Sequence, residues 1–178
     1  FETNGYKVSG GLHGVGASVV NALSDWMEVT ILRDGAIHQI KFKEGGKVDV
    51  PLKKIGTTNK TGTIVTFKPN AEIFKNLSFS YTTICERMQE SAFLLKELTC
   101  EIEDVPDNKK VSYHYENGLI SFVDYINEDK KVLHKVVPIH GTKNNIEVDI
   151  ALQYTDSYNE SIISFVNNVK TIDGGTHE

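Results

Sequence analysis

The sequence is poor in the residues that mark several specialised classes of protein. Of its 178 residues, 2 are cysteine, 4 are proline and 1 is tryptophan. Cys85 and Cys100 are far apart and have no companion ligands, which argues against a zinc site and favours reduced thiols in a cytoplasmic protein. No apolar run approaches the length that crosses a bilayer, and no signal-peptide pattern is present. We therefore expect neither a disulfide scaffold nor a membrane protein.

An excess of positive charge is also missing. The chain has 19 Lys and Arg against 24 Asp and Glu, which gives a net charge of −5. A surface that binds DNA by itself needs a basic footprint, so an autonomous DNA-binding domain is a weak alternative here. With 39% hydrophobic residues, the composition is that of a soluble globular protein whose core needs no disulfides or metals.

Hydrophobic periodicity predicts a mixture of helices and strands. A helix is predicted over 17–24, followed by strands over 27–33 and 36–42 that flank an Asp34-Gly35 turn. Further strands are predicted over 48–52, 62–67, 101–105, 111–115, 146–154 and 161–169, and further helices over 82–98 and 117–127. Since the chain begins without Met and ends directly after Gly-Gly-Thr-His, we expect part of its functional machinery to lie outside it.

The glycine-rich segment 10–16 is the strongest indication of chemistry. Four of its seven residues are glycine, and it comes immediately before a predicted helix. Glycine permits positive φ angles and close approach of the backbone, and free N–H groups at a helix start bind anions. The segment therefore predicts a polyphosphate-binding loop, with His13 as an additional donor. A tight loop without a ligand is the alternative.

The common phosphate-binding patterns do not fit this loop. A Walker motif requires Lys and Ser or Thr after the last glycine, whereas Ala17-Ser18 follow Gly16. The dinucleotide fingerprint has a different glycine order and follows a strand, and residues 1–9 are not a convincing strand. The protein-kinase loop also differs, and no His-Arg-Asp occurs in the chain.

Three segments resemble one family. Residues 6–24, Tyr-Lys-Val-Ser-Gly-Gly-Leu-His-Gly-Val-Gly-Ala-Ser-Val-Val-Asn-Ala-Leu-Ser, closely resemble the third ATP-binding motif of bacterial type II DNA topoisomerase ATPase subunits. These subunits belong to the GHKL ATPase superfamily. Residues 60–67, Lys-Thr-Gly-Thr-Ile-Val-Thr-Phe, resemble the family's strand beside the adenine pocket, and residues 165–169 and 173–178 resemble its transducer domain. The resemblance spans essentially the whole chain.

The resemblance implies a set of nucleotide-binding residues. Phosphate contacts, mostly through backbone N–H groups, are implied for Gly11, Leu12, His13, Gly14, Val15 and Gly16. Tyr6 would contact the adenosine half of ATP, Thr63 would hydrogen-bond near the adenine amino group, and Val65 would line that pocket. Arg33 would lie at the pocket mouth, where coumarin inhibitors bind. Without the resemblance, each of two residues has an alternative interpretation. Val65 is equally well explained as a valine in the core of a strand, and Arg33 as an exposed charge at a strand end.

No catalytic residue is assigned within the chain. The family's general-base glutamate and its magnesium-binding asparagine are expected upstream of Phe1, and its γ-phosphate lysine beyond Glu178. ATP and Mg²⁺ are the implied cofactors, with the metal ligand outside this chain. We therefore expect the parent protein to be an ATPase and this chain alone to be inactive.

The resemblance also implies a fold and a division into domains. We expect an α+β fold in which residues 1–116 are the C-terminal part of a GHKL-type α/β sandwich, with the ATP lid and the adenine-side strand. Residues 117–178 would begin a ribosomal-S5-like transducer domain.

The implied function is that of a topoisomerase ATPase subunit. ATP binding would dimerise two copies and close a gate over duplex DNA, and a DNA-cleaving A subunit would complete a heterotetramer. Segments such as 33–38, 90–96 and 165–169 favour topoisomerase IV of Gram-positive bacteria, with gyrase as the alternative. A non-catalytic nucleotide-sensing or dimerisation module is a further alternative, which a nucleotide titration would distinguish.

Overall fold

The computed structural model describes residues 14–171, which fall into two compact units over residues 14–78 and 79–171. The first unit contains α1 (Gly16–Ala22), β1 (Ser24–Arg33), β2 (Ala36–Lys43), β3 (Lys47–Thr57) and β4 (Gly62–Pro69). The second contains α2 (Tyr81–Leu94), β5 (Cys100–Asp104), β6 (Lys109–Tyr113), α3 (Leu119–Ile126), β7 (Val137–Lys143), β8 (Ile146–Leu152), β9 (Phe165–Val166) and β10 (Val169–Lys170). Helices and antiparallel sheets together confirm the predicted α+β class.

The first unit is built on a four-stranded antiparallel sheet with the order β3-β2-β1-β4. Residues paired across antiparallel strands point to the same face, so Ile40, Val29 and Val65 form one apolar row. On the opposite face, Lys41 forms a 2.5 Å ion pair with the partly buried carboxylate of Glu28. One face of the sheet therefore carries an apolar row at its centre, and the other carries a charged pair.

The β1–β2 hairpin confirms the turn predicted from Asp34-Gly35. Asp34 has φ 52° and Gly35 has φ 74°, which is the pair of left-handed residues that a type I′ turn requires. This turn twists in the same sense as the strands it joins, and it fixes the register that places Arg33 opposite Ala36.

Replacing Gly35 by alanine is expected to destabilise the chain by about 1–2 kcal/mol. A methyl group at this position would meet no atom of the described residues within 4 Å, so the loss would come from the positive φ alone. Urea unfolding of Gly35→Ala measures it. Asp34→Asn is the matched control, because asparagine tolerates the left-handed conformation, and it should unfold like the parent chain. Equal stability of Gly35→Ala and the parent would contradict the turn assignment.

An aromatic cluster forms the centre of the second unit. Phe93 on α2 is 1% exposed, and its ring stacks on Tyr115 with centroids 3.8 Å apart. Phe122 and Tyr125 on α3 lie 5.0 and 5.4 Å from the same ring. The helix α2 begins where Ser80 Oγ accepts the N–H of Thr83 at 3.3 Å, a standard N-cap. The cluster therefore joins α2, α3 and the segment after β6.

In the second unit one strand prediction is wrong and one strand is missed. The sequence predicts one strand over 161–169, but the structure has a short β9–β10 hairpin around Asn167 and Asn168, at φ 48° and 65°. The strand β7 is not predicted at all, although it pairs with β8 through a similar turn at Asn144 and Asn145, at φ 51° and 62°. Asparagine tolerates the left-handed region, and this makes an Asn-Asn pair a turn signal.

His134 ties the segment before β7 to the end of β8. Its Nε2 accepts the Tyr154 N–H at 2.9 Å, and its Nδ1 lies 2.6 Å from the Lys135 carbonyl oxygen. The Leu133 N–H donates a hydrogen bond to the carbonyl oxygen of Tyr154 at 2.9 Å. Gln153 Nε2 donates a hydrogen bond to the carbonyl oxygen of His134, also at 2.9 Å. Since Nε2 is an acceptor, this arrangement needs a neutral imidazole with its proton on Nδ1.

The longest helix, α2, has 14 residues. Over residues 14–171, no helix has the length and apolar character needed to cross a membrane.

Candidate functional site

The described end of the glycine loop leaves its backbone open. Gly14 has φ 63°, in the left-handed region that favours glycine. Val15 is the N-cap of α1 and is 50% exposed, and Gly16 is the first residue of the helix. Among residues 14–171, a methyl group at Gly16 would meet no neighbouring atom within 4 Å. A ligand can therefore approach the backbone at Gly16 without displacing any of the described residues.

The helix α1 is held by its C-terminal end. Ser24, which is 2% exposed, donates a hydrogen bond from Oγ to the Val20 carbonyl oxygen at 2.6 Å. The Gly45 N–H donates to the Ser24 carbonyl oxygen at 3.3 Å. The apolar side chains Val19 and Val20 of α1 are 48% and 36% exposed. The helix is thus anchored at Ser24, while its glycine-rich start remains accessible.

Ion pairs close the turn between β2 and β3, which contacts α1 at its C-terminal end. Lys43 Nζ lies 2.7 Å from Asp49 Oδ1, and Lys47 Nζ lies 2.8 Å from Glu44 Oε2. The hydrogen bond with Asp49, together with its charge, raises the pKa of Lys43. The hydrogen bond from Lys47 and its charge lower the pKa of Glu44. Both ion pairs are exposed and contribute little to the stability of the fold. The contribution of Glu44 is lost as the pH falls and its carboxylate is protonated, and that of Lys43 is lost as the pH rises and its ammonium group is deprotonated.

Three predicted site residues, Thr63, Val65 and Arg33, share one face of the sheet. Thr63 on β4 lies opposite Ile31, and Val65 lies opposite Val29. Arg33 is two residues beyond Ile31 on β1, so its side chain starts from the same face. Val65 is 50% exposed, and the Arg33 side chain is 78% exposed. The face therefore offers an apolar surface with a hydroxyl and a guanidinium at one end.

His38 belongs to the same group, although it is not among the residues predicted from the sequence. It lies opposite Ile31 on β2, so His38, Ile31 and Thr63 form one row across three strands. The signal available in the sequence is the alternation of Ala36, His38 and Ile40 after the Asp34-Gly35 turn. This row adds an imidazole to the polar end of the face.

The described site residues belong to two parts of the first unit. Gly14, Val15 and Gly16 lie at the start of α1, which leads into β1 at Ser24. Thr63 and Arg33 lie near the other end of β1.

Four predicted site residues lie outside the described residues. They are Tyr6, Gly11, Leu12 and His13. Their proposed contacts with the nucleotide stay predictions.

Known proteins resemble this chain along its whole length. The family model described as DNA gyrase B matches residues 118–178. The B subunit of DNA topoisomerase 4 from Streptococcus pneumoniae is 56% identical over all of the chain, and that from Staphylococcus aureus is 58% identical. The chain spans only 28% and 27% of these two relatives.

Two solved structures share the fold. One is the 43K ATPase domain of Thermus thermophilus gyrase B, crystallised with an aminocoumarin, with a TM-score of 0.84 and 40% sequence identity. The match covers 93% of this chain and 46% of the gyrase B chain. The other is the B subunit of the DNA gyrase from Myxococcus xanthus, with a TM-score of 0.76 and 26% sequence identity. The match covers 88% of this chain and 47% of the Myxococcus xanthus chain. The architecture of the described residues is thus that of gyrase B structures.

Proposed function

Since this chain belongs to the family of bacterial type II DNA topoisomerase B subunits, we propose that its protein is the ATP-hydrolysing subunit of a topoisomerase IV. In this proposal, ATP binding dimerises two subunits and closes a gate over duplex DNA, and the cycle drives strand passage, decatenation and relaxation. The proposal is supported by 56–58% identity to topoisomerase IV B subunits over the whole chain.

One geometric observation supports the proposal, the shared face of Thr63, Val65 and Arg33. An apolar surface with a few placed polar groups is what a purine needs, since its ring requires apolar contact and its amino group an acceptor. Thr63 Oγ1 offers that acceptor, Val65 offers apolar contact, and Arg33 lies beyond them at the end of β1. The face therefore supports a role as one wall of the adenine pocket.

The phosphates are assigned to the glycine loop. Gly14, Val15 and Gly16 are exposed, and their N–H groups carry the proposed phosphate contacts together with the residues before them. In the proposal the loop closes over the nucleotide, and its glycines supply the backbone freedom that closure requires.

The proposal assigns the hydrolytic step to groups outside this chain. Mg²⁺, when bound, would neutralise charge on the phosphates, and the proposal places its ligand and the general base upstream of Phe1. The described residues around Gly14 and Gly16 supply backbone donors but no carboxylate pair for a metal. In the proposal they bind and enclose ATP, and the lysine that reaches the γ-phosphate comes from beyond Glu178.

The proposed division into domains keeps residues 1–116 with the ATP-binding domain and residues 117–178 with the transducer. The match of the DNA gyrase B family model from residue 118 supports this boundary. The transducer would pass the nucleotide state to the DNA-cleaving A subunit, the partner that completes the heterotetramer.

The proposal is tested by reconstituting the full-length protein with its A subunit. ATP-dependent decatenation of linked DNA circles without negative supercoiling is the expected result. ATP-dependent negative supercoiling would assign the chain to gyrase, the alternative that its similarity to gyrase B structures favours. Absence of any ATP-dependent change in DNA topology would overturn both assignments.

A coupled ATPase assay tests the proposal that the general base lies outside this chain. The isolated 178-residue chain should show no ATP turnover. Turnover equal to that of the full-length protein would contradict this placement of the base.

A further inference from the structure

The polar face of the β7–β8 hairpin gathers three side chains that can bind a metal. His140 on β7 pairs directly with Asp149 on β8. Glu147 precedes Asp149 by two residues, and side chains two residues apart in a strand point to the same face. The register of the hairpin therefore brings an imidazole and two carboxylates together. Nothing in the proposed nucleotide site uses these residues.

The distances fit a shared ion. His140 Nδ1 lies 2.7 Å from Asp149 Oδ1. One ligand atom from each of His140, Glu147 and Asp149 lies within 4.8 Å of the other two, and over residues 14–171 this is the one such group. The His140 and Asp149 side chains are 60% and 53% exposed, so an ion can reach them from solvent and the side chains can adjust.

The charge of the group favours a cation. Glu147 lies beside the carboxylate of Asp149, and none of the ion pairs among the described residues includes it. Two carboxylates on one hairpin face repel each other, and a divalent ion between them removes the repulsion. A simple His140–Asp149 pair would leave the charge of Glu147 unbalanced.

The donor set selects the kind of ion. One imidazole nitrogen and two carboxylate oxygens suit zinc and neighbouring first-row transition ions, which form bonds of about 2.0–2.2 Å to such ligands. Mg²⁺ and Ca²⁺ prefer oxygen ligands alone. We propose that His140, Glu147 and Asp149 bind one divalent transition-metal ion such as zinc on the outer face of this hairpin, with water completing its coordination.

The experiment is a calorimetric titration of the full chain with zinc chloride, repeated in excess magnesium chloride. The parent is expected to bind one zinc ion at this site, unaffected by magnesium. His140→Ala and Glu147→Gln should each weaken zinc binding about tenfold or more. Glu147→Gln keeps the size of the side chain and leaves the His140–Asp149 pair in place, so its effect isolates the third ligand. Both residues are exposed, and circular dichroism of each variant should match the parent.

His114→Ala is the matched control. His114 is also an exposed histidine, and its Nδ1 lies 3.1 Å from the Leu98 carbonyl oxygen, but among residues 14–171 it belongs to no such cluster. The control should bind zinc like the parent. The proposal is overturned if the parent shows no saturable zinc binding, if either His140→Ala or Glu147→Gln retains parental affinity, or if His114→Ala loses affinity equally.

Discussion

Replacing Phe93 by alanine is expected to lower the free energy of unfolding by about 3–5 kcal/mol, the range for removing a buried aromatic ring. Phe93 is 1% exposed and stacks on Tyr115 at 3.8 Å, with Phe122 at 5.0 Å on another helix. Its loss would open a cavity that three segments line, and none of them can close it alone. Urea unfolding followed by tyrosine fluorescence or circular dichroism measures the change.

Phe74→Ala provides a matched control for Phe93→Ala. Phe74 is 39% exposed, so the same truncation removes less buried surface and should cost about 1 kcal/mol or less. A loss for Phe93→Ala no larger than that for Phe74→Ala would show that the aromatic cluster is not the centre of the second unit.

Gly16→Ala is expected to separate ligand binding from folding. The added methyl group meets no atom of the described residues within 4 Å, and alanine in a helix is favoured over glycine by up to about 1 kcal/mol, so stability should be kept or should rise. The same methyl group would occupy the space through which the proposed phosphates approach. We therefore expect about a tenfold loss of affinity for an ATP analogue, measured by calorimetry on the full-length protein.

Gly141→Ala is the control for Gly16→Ala. A methyl group there also meets no atom within 4 Å in the described part of the chain, but Gly141 lies on β7, outside the proposed nucleotide site. Its nucleotide affinity should equal that of the parent. If Gly16→Ala binds the analogue as tightly as the parent does, the phosphates do not lie against this backbone and the assignment of the loop is wrong.

The part of the fold that the sequence predicts well is the part governed by local chemistry. Asp34-Gly35 specifies a type I′ turn, and alternating β-branched residues specify β1, β2 and β4 on either side of it. The Asn-Asn turns escape prediction because asparagine adopts positive φ less readily than glycine, so their sequence signal is weaker. As a result, β7 is not predicted, and β9 and β10 are merged into one strand.

The end of α2 shows a second limit. The sequence predicts a helix to residue 98, but α2 ends at Leu94, and Leu95 is extended with φ −121° and ψ 94°. Residues 95–97, Leu-Lys-Glu, are all good helix formers, so no local signal marks this end. Tertiary packing overrides helix propensity at this position, since Phe93, two residues earlier, is fixed in the aromatic cluster.

For the candidate site, too, local sequence signals predict some features, and others depend on strand pairing. The glycine loop is visible in the sequence because its composition is unusual, and the resemblance adds Thr63, Val65 and Arg33. The shared face of these three residues depends on the pairing of β1 with β4, which periodicity does not specify. His38 reaches that face only through the pairing of β2 with β1, and so only the structure reveals it.

The position of β4 has a consequence for handling the protein. Among the described residues this strand is hydrogen-bonded to β1 alone, and residues 61–67, Thr-Gly-Thr-Ile-Val-Thr-Phe, contain no charge and no proline. A sheet edge with high β-propensity and no gatekeeper charge is a template for strands from other molecules. Aggregation of the isolated chain should therefore rise steeply with its concentration, and Ile64→Lys, on the face that carries Glu28 and Lys41, should suppress it.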